Sequence, residues 1–176
     1  MKTGGLLAGI LLLGSAQTGE RSSASVFVSR HQLRSAVDAS IASGSRGSDT
    51  PIRMIDTAGA HVGIGVVYRA EGASPSGSSS HDKVTEVYQI VAGAGTLVTG
   101  GEIVNPQRRN SAGELVGQVN GPGVSGTSIR NGHAQEVGPG DVIVIPAGTP
   151  HWFSQVDQPI TCTVVRVDPA GVVALK

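Results

Sequence analysis

Short runs of apolar residues, rich in Val and Ile, alternate with Gly, Pro, Asn and Ser along most of the chain. This pattern favours β-strands joined by tight turns over helices. It predicts eight strands in one domain, and that number of strands is typical of a jelly-roll β-barrel. We place them at residues 51–56, 61–69, 84–92, 96–99, 134–137, 142–145, 152–156 and 160–168.

One segment near the N-terminus has helical periodicity instead. Ser29 is of a residue type that caps helices, and Leu33, Val37 and Ile41 then recur every four residues. We expect this single short helix to pack against the outside of the barrel, after a short strand at 26–28.

Three polar stretches interrupt the strands. Residues 43–50 and 73–80 are rich in Gly and Ser and are predicted as loops, the second forming a mobile lip of the pocket. Residues 100–132 are too many for a hairpin loop. Long loops in compact domains are often functional, so this segment is either a lid over the barrel mouth or a plain surface insertion.

Composition supports a β domain and narrows the partners. Glycine provides 26 of 176 residues, and the 13 basic residues balance the 13 acidic ones. Without a basic stripe, the electrostatic footprint of a nucleic-acid-binding protein is missing. The single cysteine, Cys162, cannot form an intramolecular disulfide and lies in an apolar strand, where it is expected to be a buried hydrophobic residue.

The first 24 residues carry a targeting signal. Lys2 precedes the apolar run at 6–13, and small residues follow, which is the order of a secretory signal peptide. We expect cleavage after Ala16 or Ala24, a secreted or periplasmic protein, and a mature domain over 25–176 that has no membrane partner. A retained membrane anchor is the alternative, although the run is short for a bilayer span.

Two segments resemble the motifs of the cupin superfamily. Residues 140–151 match G-x5-P-x-G-x2-H from Gly140 to His151, and residues 81–93 match the later part of H-x-H-x3-4-E-x6-G, with His81, Glu86 and Gly93 in register. The first histidine of that motif is replaced by Ser79. The resemblance covers roughly residues 60–168 and is to small exported bacterial cupins, which implies a single-domain jelly-roll barrel and commonly a homodimer.

The resemblance also implies a metal site. His81, Glu86 and His151 would converge inside the barrel, and two imidazoles with one carboxylate suit Fe(II), Mn(II), Ni(II) or Zn(II) while leaving coordination positions open. The alternative is a degenerate cupin in which these side chains only form hydrogen bonds in a polar pocket.

Strand alternation adds candidate neighbours. If Glu86 points inward, Tyr88 shares its face and is a candidate catalytic residue, or else simply fills the core. On the same rule Phe153 and Gln155 accompany His151, while Trp152 turns outward.

Other polar residues are weaker candidates. Arg69 ends a strand expected to border the pocket, where it would clamp a substrate carboxylate as a second catalytic residue or form a salt bridge at the barrel end. His61 either replaces the missing ligand or is solvated. His31 and His133 are expected on the surface, and Arg166 in a surface ion pair.

Two functions follow from these expectations. The first is a metal-dependent enzyme acting on a small organic molecule by oxygenation, isomerisation or lyase chemistry. The second is a non-catalytic cupin that binds a small molecule or metal. A fold alone cannot choose between them.

Overall fold

The computed structural model describes residues 25–72, 77–110, 113 and 116–176. The predicted signal peptide therefore lies outside the described residues. Among the described residues, no helix is long and apolar enough to cross a membrane.

The described chain forms one helix, a short π-helical turn and eleven strands. The helix is α1 (Arg30–Ala42) and the π-helical turn is Val116–Asn120. The strands are β1 (Gly47–Asp56), β2 (His61–Arg69), β3 (Ser78–His81), β4 (Thr85–Thr99), β5 (Glu102–Val104), β6 (Gln107–Arg108), β7 (Gly123–Gly126), β8 (Ser128–Arg130), β9 (His133–Val137), β10 (Val142–Ile145) and β11 (His151–Asp168). The fold is the all-β jelly-roll barrel expected from the sequence.

Two long strands, β4 and β11, pair antiparallel along their whole length and pass from one layer of the barrel to the other. Their halves at 85–92 and 160–168 lie in a first layer, ordered β1-β2-β11-β4-β10. Their halves at 94–99 and 151–156 lie in a second layer, ordered β9-β4-β11-β3-β7-β6. We predicted each of these two strands as two separate strands, because the residues at the bend interrupt the apolar pattern.

The bend between the layers depends on Gly93. Its φ is +86°, and a Cβ at this position would overlap the carbonyl oxygen of Pro159 on the adjacent strand. This conformation favours glycine, and only glycine allows so close an approach. The spacing from Glu86 to Gly93 therefore fixes how far the glutamate lies from the corner.

A cluster of buried side chains fills the space between the two layers. It includes Cys162, which was expected to be buried, and its members come from both halves of β4 and β11 and from β2, β9 and β10: Val67, Tyr88, Ile90, Leu97, Val137, Ile145, Phe153, Val156, Ile160, Cys162 and Val164. Burial of these apolar surfaces is the main force that closes the barrel. The polar site described below lies at the edge of this cluster.

The helix packs outside the first layer, against β1 and β2, as expected. Ser29 caps it and forms a capping box with Gln32. Its buried face differs from the expected stripe, since Ile41 is exposed and Ser40 is buried with its hydroxyl 2.7 Å from that of Ser48.

Two local predictions are wrong, and a third segment contains strands that were not predicted. Residues 26–28 are not a strand, and Phe27 is 82% exposed. A register shift between Phe153 and Gln155 turns Gln155 out of the barrel, where it is exposed. The segment 100–132 contains β5 to β8, and β5 pairs with β8 as a small separate sheet. These strands were not predicted because they are short and lie among turn residues, so the sequence shows no periodic pattern there.

Candidate metal centre

The second layer of the barrel supplies two buried histidines from adjacent strands. His81 is the last residue of β3, and His151 is the first residue of β11. The backbone N–H of Gly148, in the turn before His151, donates to the carbonyl of His81 at 2.6 Å. The two sequence motifs are thus joined directly through the backbone.

The facing layer supplies the carboxylate. Glu86 lies on the first half of β4 and is fully buried. Its Oε2 is 3.3 Å from His81 Nε2 and 3.4 Å from His151 Nε2. One donor atom from each of the three residues lies within 4.8 Å of the other two. The residues that the motifs predicted as ligands are therefore brought together at one buried point.

These distances suit a divalent ion. Metal bonds of about 2.0–2.2 Å to imidazole nitrogen and carboxylate oxygen place neighbouring donors roughly 3.0–3.5 Å apart. The donor set of two imidazoles and one carboxylate is one that first-row transition metals favour. The residues present therefore fit a divalent metal ion.

Ser79 lies where the usual fourth donor would be. It is paired with His151 across β3 and β11, and its hydroxyl is 3.4 Å from His151 Nε2. A neutral hydroxyl is a weaker metal ligand than an imidazole. The site consequently has three strong donors and one weak one.

The second ring nitrogens of the two histidines have different partners. His151 Nδ1 lies 3.1 Å from the carbonyl oxygen of Thr149, which can only accept a hydrogen bond. His81 Nδ1 lies 2.9 Å from Nη2 of Arg109, which can only donate. Burial, partly offset by the charge of Glu86, lowers the pKa of His151 to about 4, so this imidazole is neutral at pH 7.

Glu86 is held by an ion pair inside the barrel. Arg166 Nε donates to Glu86 Oε1 at 2.8 Å, and Arg166 Nη2 donates to both carboxylate oxygens of Asp49, at 2.8 and 2.7 Å. Burial alone would raise the pKa of Glu86, but Arg166 and then His81 lower it well below its usual value. Glu86 is therefore ionised, with Oε1 occupied and Oε2 facing the histidines.

This arrangement corrects the expectation that Arg166 forms a surface ion pair. Arg166 is 2% exposed and lies on the inner face of β11. The alternation rule could have found it, because Cys162, Val164 and Arg166 have the same parity along one strand. Asp49 was missed because its segment was interpreted as a loop.

Tyr88 lies beside Glu86 on the inner face, as alternation predicted. Its hydroxyl donates to Glu86 Oε2 at 3.1 Å, and its ring stacks on Phe153 with an interplanar angle of 10°. Burial, followed by the charge of Glu86, raises the pKa of Tyr88 well above its usual value. The phenol is therefore protonated at neutral pH and acts as a donor.

Arg69 is not brought to the group. It is paired with Ile160, whereas Glu86 is paired with Arg166, six residues away along β11 and so about 20 Å at the usual strand rise. Its Nη1 donates to the carbonyls of Ser48 and Tyr68. Arg69 therefore lies far from the three converging side chains.

The remaining histidines lie elsewhere. His61, opposite Asp168 in the pairing of β2 with β11, has its Nδ1 2.8 Å from the carbonyl of Val173, so it does not replace the missing ligand. His31 and His133 are exposed, as expected.

Arg109 was not predicted to reach the site. It follows β6 in the long segment 100–132, and no periodic signal in the sequence places it. The same Nη2 that faces His81 also donates to the carbonyls of Ser80 and Gly121, at 2.9 and 3.3 Å. One side chain of the segment 100–132 therefore contacts His81, a candidate metal ligand.

A family model described as Cupin matches residues 66–172. Comparison with curated protein sequences finds no match.

Similar solved structures include three of different kinds. Oxalate oxidase in complex with glycolate is 17% identical with a TM-score of 0.44, over 70% of this chain and 52% of that one, so this chain spans about half its length. DMSP lyase DddQ from Ruegeria pomeroyi DSS-3 is 16% identical with a TM-score of 0.47, over 81% and 65%. Vicilin from the hazelnut Corylus avellana is 14% identical with a TM-score of 0.40, over 62% and 24%.

Likenesses at these identities leave the substrate of this chain open. The family match, in contrast, covers more than half of the chain and includes both motifs and all three converging residues. The chain belongs to the cupin family.

Proposed function

We propose that this protein binds one divalent first-row metal ion, Fe(II), Mn(II), Ni(II) or Zn(II), through His81, Glu86 and His151, and acts on a small organic molecule. The observation that carries the proposal is the convergence of two imidazole nitrogens and one carboxylate oxygen within 4.8 Å in the buried interior. Three protein donors leave positions for water and substrate, which is the pattern of catalytic rather than structural metal sites.

The chain's own groups prepare this site. Arg166 donates to Oε1 of Glu86, and Oε2, which also accepts from the Tyr88 hydroxyl, is the oxygen that faces the two histidines. Arg166 also pairs with the carboxylate of Asp49, so one buried cation is held between two anions and stays beside Glu86. When bound, a metal of this kind supplies Lewis acidity or oxygen activation.

Tyr88 is the residue that we propose to contact the substrate. Its protonated hydroxyl already donates to Glu86 Oε2 and could transfer this hydrogen bond to a substrate oxygen beside the same carboxylate. The rings of Tyr88 and Phe153 form an apolar wall that keeps bulk water away from the donors. Arg69 is left out of this proposal because of its position along β2.

Oxygenation, isomerisation and lyase chemistry are the reaction classes proposed. Two of the similar solved structures are enzymes by name, an oxalate oxidase and a DMSP lyase. A non-catalytic cupin that binds a small molecule or metal is the alternative outcome of the test.

The test has two stages. The protein is loaded with each of the four metals and dialysed, and its metal content is compared with that of a His81→Ala/His151→Ala double variant. The loaded protein is then screened against metabolite mixtures for oxygen uptake and for loss of individual compounds. Retained metal with turnover supports the enzyme, retained metal without turnover supports the binding protein, and no retention above the double variant contradicts the proposal.

Export to the periplasm or the medium is a further part of the proposal. Its support is the sequence from Lys2 through the apolar run at 6–13. Mass spectrometry of the native protein from fractionated cells should show a mature N-terminus after Ala16 or Ala24. An intact Met1 in the cytoplasmic fraction would contradict it.

The last part of the proposal is that the protein forms a homodimer. The outer face of β10 exposes Val142 and Val144, each 61% accessible, and Phe27 adds a third exposed apolar side chain. Apolar surface of this kind is often covered by a partner. Light scattering should report twice the monomer mass, and a monomer at high micromolar concentration would count against it.

A further inference from the structure

The contact between Arg109 and His81 determines which ring nitrogen of His81 carries the proton. Arg109 Nη2 and His81 Nδ1 are 2.9 Å apart. A guanidinium has only N–H donors, so Nδ1 must present its lone pair to it. In a neutral imidazole the hydrogen is then on Nε2, and it points toward Glu86 Oε2, 3.3 Å away.

That tautomer cannot bind a metal through Nε2. A metal ligand must offer a lone pair, and the lone pair of this imidazole faces Arg109. Metal-binding histidines usually donate their other N–H to a carboxylate, carbonyl or water. With a metal on Nε2, the N–H on Nδ1 would face the N–H of Arg109 across 2.9 Å, and two donors repel.

The placement of Arg109 depends on several features of the fold. Its backbone N–H donates to the carbonyl of Gly123, and its Nη2 is also bonded to the carbonyl of Ser80. A Cβ on Gly123 would overlap both the guanidinium and the Ser80 carbonyl. The preceding residue, Arg108, makes a bidentate pair with Asp82, next to His81. The backbone of Arg109, its Nη2 contacts and the pairing of the preceding residue thus together place the guanidinium beside His81.

We propose that Arg109 is a positioning residue that competes with the metal ion for His81. In the metal-free protein it holds His81 in the tautomer that donates to Glu86, and metal binding requires its guanidinium to leave Nδ1. This inference rests on the proposed metal site and adds a means of regulation: the segment 100–132 is coupled to metal occupancy through one side chain. The positive charge of Arg109 also repels a divalent cation, which weakens metal binding further.

Metal affinity measured by competition with a chromophoric chelator tests this competition. Arg109→Met removes the donor and the charge, and Arg109→Gln offers in addition an oxygen that can accept from the Nδ1 hydrogen. Because partners of this kind change metal affinity by about 10–100-fold, we expect both variants to bind Zn(II) at least about tenfold more tightly than wild type, with Gln at least equal to Met.

Arg130→Met is the matched control. Arg130 lies in the same segment and pairs with Glu102 in an exposed ion pair, so its loss removes one positive charge without touching His81. A gain for Arg109→Met beyond that of Arg130→Met supports the competition. A gain no greater than the control, or weaker binding, overturns it.

A second measurement needs no variant. Histidine nitrogen NMR of the metal-free wild-type protein should show His81 protonated on Nε2 and His151 protonated on Nδ1. The opposite tautomer for His81 overturns the inference even if a variant fails to fold.

Failure of the metal site itself is distinguishable. If wild type and Arg109→Met bind Zn(II) no better than the His81→Ala/His151→Ala variant, both the proposed function and this inference fail. If wild type binds through these residues and Arg109→Met gains nothing, only the inference fails.

Discussion

The two sequence motifs supply equivalent histidines that are supported in opposite ways. His81 and His151 are 4% and 6% exposed and face the same Glu86 oxygen at 3.3 and 3.4 Å. The second nitrogen of His151 meets a carbonyl from its own turn, Thr149, which favours a free Nε2. The second nitrogen of His81 meets Arg109 from a distant segment, which favours the reverse.

Gly93 of the first motif and Gly148 of the second also differ in their surroundings. Gly93 and Gly148 have similar positive φ values, +86° and +83°. A Cβ on Gly93 would overlap the Pro159 carbonyl, whereas a Cβ on Gly148 would meet nothing within 4 Å. Gly93 is therefore required both for its backbone conformation and for the close approach of the adjacent strand, whereas Gly148 is required for its conformation alone. Glycines at similar φ values can thus differ in how much the surrounding fold depends on them.

The largest loss of stability is expected when Glu86, the partner that the two histidines share, loses its own support. Arg166→Met leaves the buried Glu86 and the partly buried Asp49 without their cation, and breaking a buried ion pair typically costs about 3–5 kcal/mol. Urea unfolding of the metal-free protein should show a loss of that order. The exposed Arg130→Met serves as control, with an expected loss of about 1 kcal/mol or less. Equal losses for the two variants would show that the internal pair does not hold Glu86.

The glycine comparison gives the next effect. Gly148→Ala adds only the strain of a left-handed conformation, about 1–2 kcal/mol. Gly93→Ala adds a backbone overlap as well, and overpacking costs a further 1–3 kcal/mol or so. The free energy of unfolding should therefore fall more for Gly93→Ala. A larger loss for Gly148→Ala would contradict the account of the corner.

Removing the hydroxyl of Tyr88 tests how much its hydrogen bond to Glu86 contributes to stability. Tyr88→Phe deletes a buried hydrogen bond to a charged acceptor, worth about 1.5 kcal/mol or somewhat more. Thermal and urea unfolding should show this loss while Zn(II) affinity changes little, because the phenol is not one of the three converging donors. A complete loss of metal would mean that Tyr88 is itself a ligand.

The smallest effect expected is a gain. Ser79→His restores a fourth strong donor beside His151, from a residue whose hydroxyl already lies 3.4 Å from Nε2. We expect about tenfold tighter Zn(II) binding, or roughly 1.4 kcal/mol. Chelator competition measures it, and weaker binding would indicate that position 79 does not face the metal.

The sequence predicts the second motif and the barrel well because their signals are local. The spacing from Gly140 to His151 encodes a turn and a strand start, and alternation along β4 places Tyr88 beside Glu86. Arg166 could have been assigned by the same alternation, since it follows Cys162 and Val164 on one face. These predictions need only the geometry of one strand.

Long-range contacts could not be predicted in this way. Asp49 and Arg109 reach the site from segments with little periodicity, and their partners are 117 and 28 residues away in sequence. Gln155 was misplaced because a β-bulge changes the parity of one strand without a clear sequence signal. The residues that tune the ligands thus come from the least predictable parts of the chain.

The central claim is that three side chains from facing layers form one metal site, and anomalous diffraction tests it most directly. Crystals grown with Zn(II) or Mn(II) should give one strong anomalous peak in contact with His81 Nε2, Glu86 Oε2 and His151 Nε2. A peak at some other residue, or none at this position in protein shown to be saturated in solution, would contradict the account.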